Sequence, residues 1–357
     1  MFYQIVIVLR NLQISLLLMV VIFFVGYAVY AKLSQKYELQ YKSEVAHQVY
    51  LTKNNNMVEK PSSSEVYFAG ERVPTEKKNI ASKLQWELHL ATYWKQGATQ
   101  TVSKAHYWLP LFEQILKEKD IPVDFKYLAV IESNLTNVVS PAGAAGFWQL
   151  MPSAARTAGL EINNEIDERY HPIKATYAAA YYLRYSYKYL KNWTNVAASY
   201  NMGIGGIQYT LRASGVDSYY DLFLNPETAR YVYKAVAFKQ VYENLAKYDL
   251  TDVQPYAYPH YRKITVDSTI HNLADFASQY GLSLKTLQRH NPWLKANRLT
   301  VREGKTYEVW IPTLAKMARL SETDTLAVKE VSLVSDTLSR SDSLQLVVKE
   351  QPKKEAD

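Results

Sequence analysis

The sequence predicts a mainly α-helical protein that ends in a small α+β (βααβ) module, and three observations carry that expectation. Apolar residues recur at helical spacing from Ile80 to Leu250, and no stretch there alternates as a strand does. Between His260 and Thr313 the pattern changes to short β-like ends around two helical stretches. With 357 residues, 48% of them hydrophobic, the chain can bury a real core and has the length for about two domains plus connecting segments.

The first element lies in residues 1–39. Leu12 to Tyr30 is almost wholly apolar, and as a helix it would rise about 28 Å, enough to cross a hydrocarbon core. It is read as a transmembrane anchor or a signal segment. Val29-Tyr30-Ala31 offers a small-residue cleavage site, while Arg10 before it and Lys32 and Lys36 after it leave orientation open. No cysteine follows, which excludes a lipoprotein. Residues 40–65, with Asn54-Asn55-Asn56 and Ser62-Ser63-Ser64, read as a linker. Residues 66–250 form the helical domain, with helix stops expected at Gly97, Gly159, Gly203 and Gly215. In the module over 260–313, strands are expected at Tyr261 to Val266 and Tyr307 to Ile311. Helices are expected near Leu273 to Gln279 and Leu284 to His290. Residues 314–357, rich in Ser, Thr, Asp and Lys, read as a mobile tail without chemistry.

Composition removes several function classes. There are no cysteines, so disulfide frameworks, thiolate metal sites and cysteine nucleophiles are excluded. The seven histidines show no His-Glu-x-x-His spacing, and no serine sits in a nucleophile elbow. No cofactor and no metal are therefore expected. A net charge of +7 favours an anionic partner, yet no clustered Lys/Arg stripe points to nucleic acid. Thirty tyrosines against ten phenylalanines supply many aromatic faces with a hydroxyl, which suit sugar contact as well as ordinary packing.

Chemistry begins at Ile121-Pro122, where Pro122 suits a helix start. Phe125, Leu128, Ala129, Glu132 and Leu135 then share one helix face, which sets a carboxylate among apolar side chains. Desolvation disfavours the charged form, so Glu132 should keep its proton near neutrality, as a general acid for a glycosidic oxygen must. Taken alone, the segment fits better a rim carboxylate paired with one of the many basic residues. The next residues reverse that preference. Ser140 to Pro152 is a Gly- and Ala-rich loop ending in Trp148, Gln149 and Met151, which lets backbone approach a ligand beside an aromatic face and an amide. Trp193 to Gly203 reads as a short helix ending on Tyr200 and Asn201, and no strand precedes Gly203-Ile204-Gly205-Gly206, which weakens a phosphate-loop reading.

With these residues assembled, Ile121 to Tyr233 resembles the catalytic domain of lytic transglycosylases of the soluble-lytic-transglycosylase type, a lysozyme-like fold, closest to the membrane-bound lytic murein transglycosylase D group. The resemblance rests on Glu132-Ser133, Gly143-Ala144 through Gly146, Gln149 and Met151, Ser199-Tyr200-Asn201-Met202-Gly203, and Glu227-Thr228 with Tyr231-Val232. It implies that Glu132 is the single catalytic acid/base. It also implies that Ser140, Gln149, Met151, Tyr200 and Asn201 line the saccharide cleft and that Glu227 stands on its far side. Asn225-Pro226-Glu227 also reads as a helix cap, so Glu227 is binding or structural. Asp167-Glu168-Arg169-Tyr170-His171-Pro172 is given a structural role.

The implied reaction cleaves the β-1,4 bond between MurNAc and GlcNAc in peptidoglycan and leaves 1,6-anhydro-MurNAc ends. Ser133 to Leu160 contains no Asp or Glu, which weakens a two-carboxylate hydrolase without excluding one. A hydrolytic muramidase and a non-catalytic peptidoglycan-binding scaffold are the alternatives. The 260–313 module resembles a LysM peptidoglycan-binding unit, with Val266-Asp267-Ser268-Thr269 in place of the usual Gly-Asp-Thr start, and a folded spacer is its alternative. The expected setting is the bacterial envelope, with the enzyme facing the periplasm and peptidoglycan strands as its partner.

Overall fold

The computed structural model describes residues 65–313. The expected anchor or signal (1–39), all but the last residue of the linker (40–65), and the tail (314–357) lie outside the described residues. Among the described residues no helix is long and apolar enough to cross a membrane. These residues fall into two compact units: 65–66 with 72–86, and 67–71 with 87–313. In the first, Arg72 pairs with Glu65 and Glu76, and the Val73 N–H donates to the Val66 carbonyl. Apart from the start of the first helix, up to Trp86, everything discussed from here on belongs to the second.

The chain is mainly helical, as expected. Helix α1 spans Lys78–Tyr93 and α2 Lys95–Glu118. Gly97, expected as a stop, lies inside α2, because the break falls at Trp94, whose extended ψ of 88° interrupts the helix three residues earlier. One face of α2 is buried through Val102, Ala105, Leu109, Phe112 and Leu116, at i, i+3 and i+4 spacings. Pro122 then caps a single 3₁₀ turn, and α3 follows over Lys126–Ser133. Nearly every side chain of α3 is buried, since it threads between α2 and the later helix α8 (Pro226–Glu243). Around it stand α4 (Pro152–Thr157), α5 (Pro172–Leu190), α6 (Trp193–Met202) and α7 (Ile204–Ser214). The contact faces of α5, α6 and α8 are rich in alanine: Ala178, Ala179, Ala197, Ala198, Ala235 and Ala237 are all at most 1% exposed. Small side chains let helix axes approach closely, and this brings the ends of α3, α6 and α8 to one place.

In the terminal module, β1 (Tyr261–Val266) and β2 (Tyr307–Pro312) pair antiparallel from Tyr261 opposite Pro312 to Val266 opposite Tyr307. Helices α9 (Leu273–Ser278) and α10 (Leu284–His290) pack beneath them. The expected elements are present within one residue at each end. The module's apolar core, built on Leu273, Leu287, Leu299 and Val309, also takes in Ile166 from the helical domain. Around Ile166 the backbones exchange hydrogen bonds: Asp167 N–H to the Trp293 carbonyl at 2.9 Å and Lys295 N–H to the Glu165 carbonyl at 2.8 Å. Glu165 accepts from the Thr300 backbone and pairs with Arg298, and Glu161 pairs with Lys305. Loop 161–171 is thereby fixed to the module.

Candidate active site

Glu132 occupies the last turn of α3, and the way that helix ends shapes the site. Asn134 and Leu135 both adopt left-handed backbone, φ 52° and 53°, so the chain turns sharply away just after the carboxylate. Asn134 tolerates this conformation well and Leu135 does not, so the turn is held from outside. Thr101 Oγ1 reaches Asn134 Oδ1 at 2.5 Å and Lys104 Nζ donates to the Asn134 carbonyl at 2.7 Å. Leu135, only 1% exposed, is anchored by its own burial.

The Glu132 side chain is partly buried, and its Oε1 accepts a 2.5 Å hydrogen bond from the Tyr231 hydroxyl of α8. Loss of water around the carboxyl raises its pKa to about 7, and the negative Glu227 adds to the rise, while the Tyr231 hydrogen bond and Lys234 oppose it. Burial beside Glu132 in turn pushes the Tyr231 and Tyr200 phenols far up, so both stay neutral. A carboxyl that titrates near neutrality can both give and take a proton.

Loop 140–151 is non-helical, as expected, and is tied down on both sides. Ser133 Oγ, next to Glu132, donates to the Phe147 carbonyl at 2.8 Å, and the Tyr200 hydroxyl donates to the Trp148 carbonyl at 2.8 Å. Arg169 Nη1 donates to the carbonyls of Gly143 and Leu150, while the same guanidinium is held by Asp167 through Nε and Nη2. The Asp167–Arg169 pair is about nine-tenths buried on both sides. Gly146 cannot be replaced here: at φ 79°, a Cβ would lie 1.9 Å from the Arg169 carbonyl oxygen.

The expected site residues separate into two groups. Glu132, Tyr200 and the loop bearing Gln149 come together, linked through Ser133, Trp148 and the charge of Glu132 felt at Tyr200. Gln149 sits at φ 44°, and its amide Nε2 donates to the Val138 and Gly146 carbonyls, so its donors hold the loop and leave its oxygen for a ligand. Ser140 Oγ accepts from the Ala144 N–H within the same loop, and Met151, 43% exposed, stands at the N-cap of α4. Asn201 and Glu227 form the second group: Asn201 Nδ2 donates to Glu227 Oε1 at 3.0 Å, and Thr228 Oγ1 donates to Asn201 Oδ1. The cap at Asn225 is present as expected, with its side chain accepting from the Glu227 and Thr228 N–H groups. Glu227 is exposed yet close enough for its charge to raise Glu132.

Tyr231 was part of the motif without a role, and its contact with Glu132 spans 99 residues. The position one turn after Glu227 on α8 is the signal that could have found it, since i and i+4 share a helix face.

Residues 111–223 match the family model described as "Transglycosylase SLT domain", and residues 262–315 match the "Soluble lytic transglycosylase C-terminal LysM-like domain". Two curated relatives, the membrane-bound lytic murein transglycosylases D of Escherichia coli K12 and of Escherichia coli O6:H1, are each 25% identical over 229 residues. Those 229 residues cover 62% of this chain and 49% of the relative, so the chain spans about half the length of the curated relatives it matches. Among solved structures, the 70 kDa soluble lytic transglycosylase of Escherichia coli is 24% identical at a TM-score of 0.33, covering 38% of this chain and 24% of that one. An inactive mutant of lytic transglycosylase Slt from Pseudomonas aeruginosa is 18% identical at 0.33, covering 47% and 30%.

Proposed function

We propose that this chain, which carries an SLT transglycosylase domain followed by a LysM-like domain, is a peptidoglycan lytic transglycosylase with Glu132 as its acid/base. The observation that carries the reading is a single desolvated carboxyl of pKa about 7, oriented by Tyr231 at 2.5 Å. In the forward step the protonated Glu132 gives its hydrogen to the bridging oxygen as the C1–O bond of MurNAc breaks. The resulting carboxylate then removes the proton from the 6-hydroxyl of the same sugar as O6 bonds to C1. No water enters, and the product ends in 1,6-anhydro-MurNAc. Attack from within the same ring is competitive because the internal hydroxyl is held at high effective concentration. Ser140, Gln149, Met151, Tyr200, Asn201 and Glu227 are assigned to substrate binding, with the Gln149 and Tyr200 oxygens free to accept from sugar hydroxyls.

The setting proposed is the cell envelope, with peptidoglycan strands as partner and the 262–315 domain as a further contact with the wall. Attachment to a membrane would depend on residues 12–30. One observation favours a second reading: Glu227 is a second carboxylate within electrostatic reach of Glu132, as a hydrolytic muramidase would need to activate water. Digestion of purified peptidoglycan followed by mass spectrometry separates the two. Anhydro ends are expected, whereas reducing ends would establish the hydrolase.

A further inference from the structure

Helix α5 turns a row of tyrosines outward. Tyr177, Tyr181, Tyr185 and Tyr189 stand at successive i, i+4 positions and are 36%, 49%, 42% and 50% exposed. That spacing sets neighbouring rings about 6 Å apart along one stripe. The Tyr181 and Tyr185 rings lie within 10° of parallel, and the Tyr189 hydroxyl donates to that of Tyr185 at 3.1 Å. The core does not need these rings, because α5 buries its other face through Ala175, Ala179, Leu183 and Ser186.

The composition of the row is selective. Its exposed positions on α5 are the four tyrosines, Arg184 and Lys188, with no aliphatic residue among them. The Tyr177 hydroxyl donates to Glu118 at 2.7 Å and Lys119 lies over its ring at 5.1 Å, so the free faces are those of Tyr181, Tyr185 and Tyr189. Asp120 pairs with Arg184, but among the described residues no carboxylate pairs with Lys188 or with the exposed Lys191 just beyond it. At its other end the row runs into a cavity of about 490 Å³ lined in part by Lys119, Tyr177, Tyr181 and Arg184. Glu132, Gln149 and Tyr200 do not line that cavity.

We propose that this row is a second glycan-binding platform, which holds a peptidoglycan strand other than the one being cut at Glu132. Pyranose rings offer polarised C–H edges that settle on the negative face of an aromatic ring. Their hydroxyls bond to phenol oxygens, so a regular ladder of tyrosines matches a regular chain of sugars better than an isolated ring does. The stem peptides and lactyl groups of peptidoglycan carry carboxylates, and Lys188 and Lys191 supply the unneutralised cations to meet them. A bilayer surface would call for an apolar face able to sink below the headgroups, and a hydroxyl-tipped row without aliphatics does not supply one.

The proposal shares its polymer with the function proposed above but not its chemistry, so the test is made without cleavage. The full chain carrying Glu132→Gln is sedimented with purified insoluble peptidoglycan, with and without Tyr181→Ser, Tyr185→Ser and Tyr189→Ser. The expected result is binding weakened roughly ten-fold or more by loss of three aromatic faces. Lys188→Glu with Lys191→Glu should weaken binding too and flatten its salt dependence, which keeps the test decisive if the serine variant fails to fold. In the wild-type background the same substitutions should leave cleavage of short soluble glycan fragments unchanged. Undiminished sedimentation of both variants would overturn the platform, as would tyrosine-dependent binding to phosphatidylglycerol vesicles with sedimentation unaltered. Tyrosine-dependent sedimentation by a protein that cuts no glycan would uphold the platform and defeat the transglycosylase reading alone.

Discussion

A carboxyl with a pKa of about 7 has consequences beyond its chemistry. Folding raises the Glu132 pKa from 4.5, so between those values the folded state binds more protons than the unfolded one, and stability falls as pH rises through the window. Above pH 7 the charged Glu132 costs up to about 3 kcal/mol. Glu132→Gln, which keeps an oxygen to accept from Tyr231, is therefore expected to raise Tm at pH 8 and to change it little at pH 4. An equal shift at both pH values would show that the carboxyl is not desolvated. Tyr231→Phe removes the hydrogen bond that favours the charged form, and should move the limb of the pH–rate profile set by Glu132 to higher pH. A limb that stays put would deny Tyr231 its positioning role. The helix pattern alone did not single out Glu132, and it placed Leu135 on a face that the helix, ending at Ser133, does not reach. The residue was picked out by the Gly- and Ala-rich loop and the Tyr200-Asn201 segment that follow it, together with the family resemblance. Its partner was not legible, since Tyr231 comes from a helix nearly a hundred residues away and only packing joins them. The use that Gln149 makes of its own amide was equally hidden, because it follows from a positive φ that no residue pattern announces.

At the scale of elements, the site depends on a loop that has no regular structure of its own. Loop 140–151 is held by Ser133, by Tyr200 and above all by Arg169, whose guanidinium joins two of its carbonyls to Asp167. Arg169→Ala would leave Asp167 buried without its partner, and should cost about 3–5 kcal/mol in urea unfolding. A loss below 1 kcal/mol would mean that the clamp is dispensable. Gly146→Ala should be worse tolerated than Gly143→Ala on the same loop, because at 146 an added carbon strikes the Arg169 carbonyl whereas at 143 it meets nothing within 4 Å. The sequence announced the loop by its glycines and alanines, and the caps at Asn225 and Pro226 by residue type. It misled at Gly97, where a glycine inside a long helix looked like its end, although local backbone at Trp94 decided the break.

Across the whole molecule, the terminal module is joined to the helical domain through loop 161–171, the same segment that delivers Arg169 to the site loop. His171 lies in that junction, its ring against Trp293 and Trp310, and burial with Lys174 nearby lowers its pKa to about 4. The unfolded histidine titrates near 6.5, so stability drawn from the neutral ring is full above that pH and lost as pH falls toward 4. Proteolysis between Thr251 and Pro259 should accordingly quicken from pH 7 to pH 4.5, and His171→Gln should flatten that dependence. An unchanged pH dependence in the variant would remove His171 from the junction's energetics. Both strands and both helices of the module were readable as short β-like ends around two helical stretches, whereas its attachment was not: Glu161, Glu165 and Ile166 look like ordinary loop residues until their partners beyond residue 290 are in place. The central claim concerns one carboxyl and the bond it cuts. The most direct measurement is mass analysis of the fragments that residues 33–357 release from purified peptidoglycan, run beside Glu132→Gln. Anhydro-MurNAc ends from the parent and about a thousand-fold fewer from the variant are expected. Undiminished release by the variant would contradict Glu132 as the acid/base.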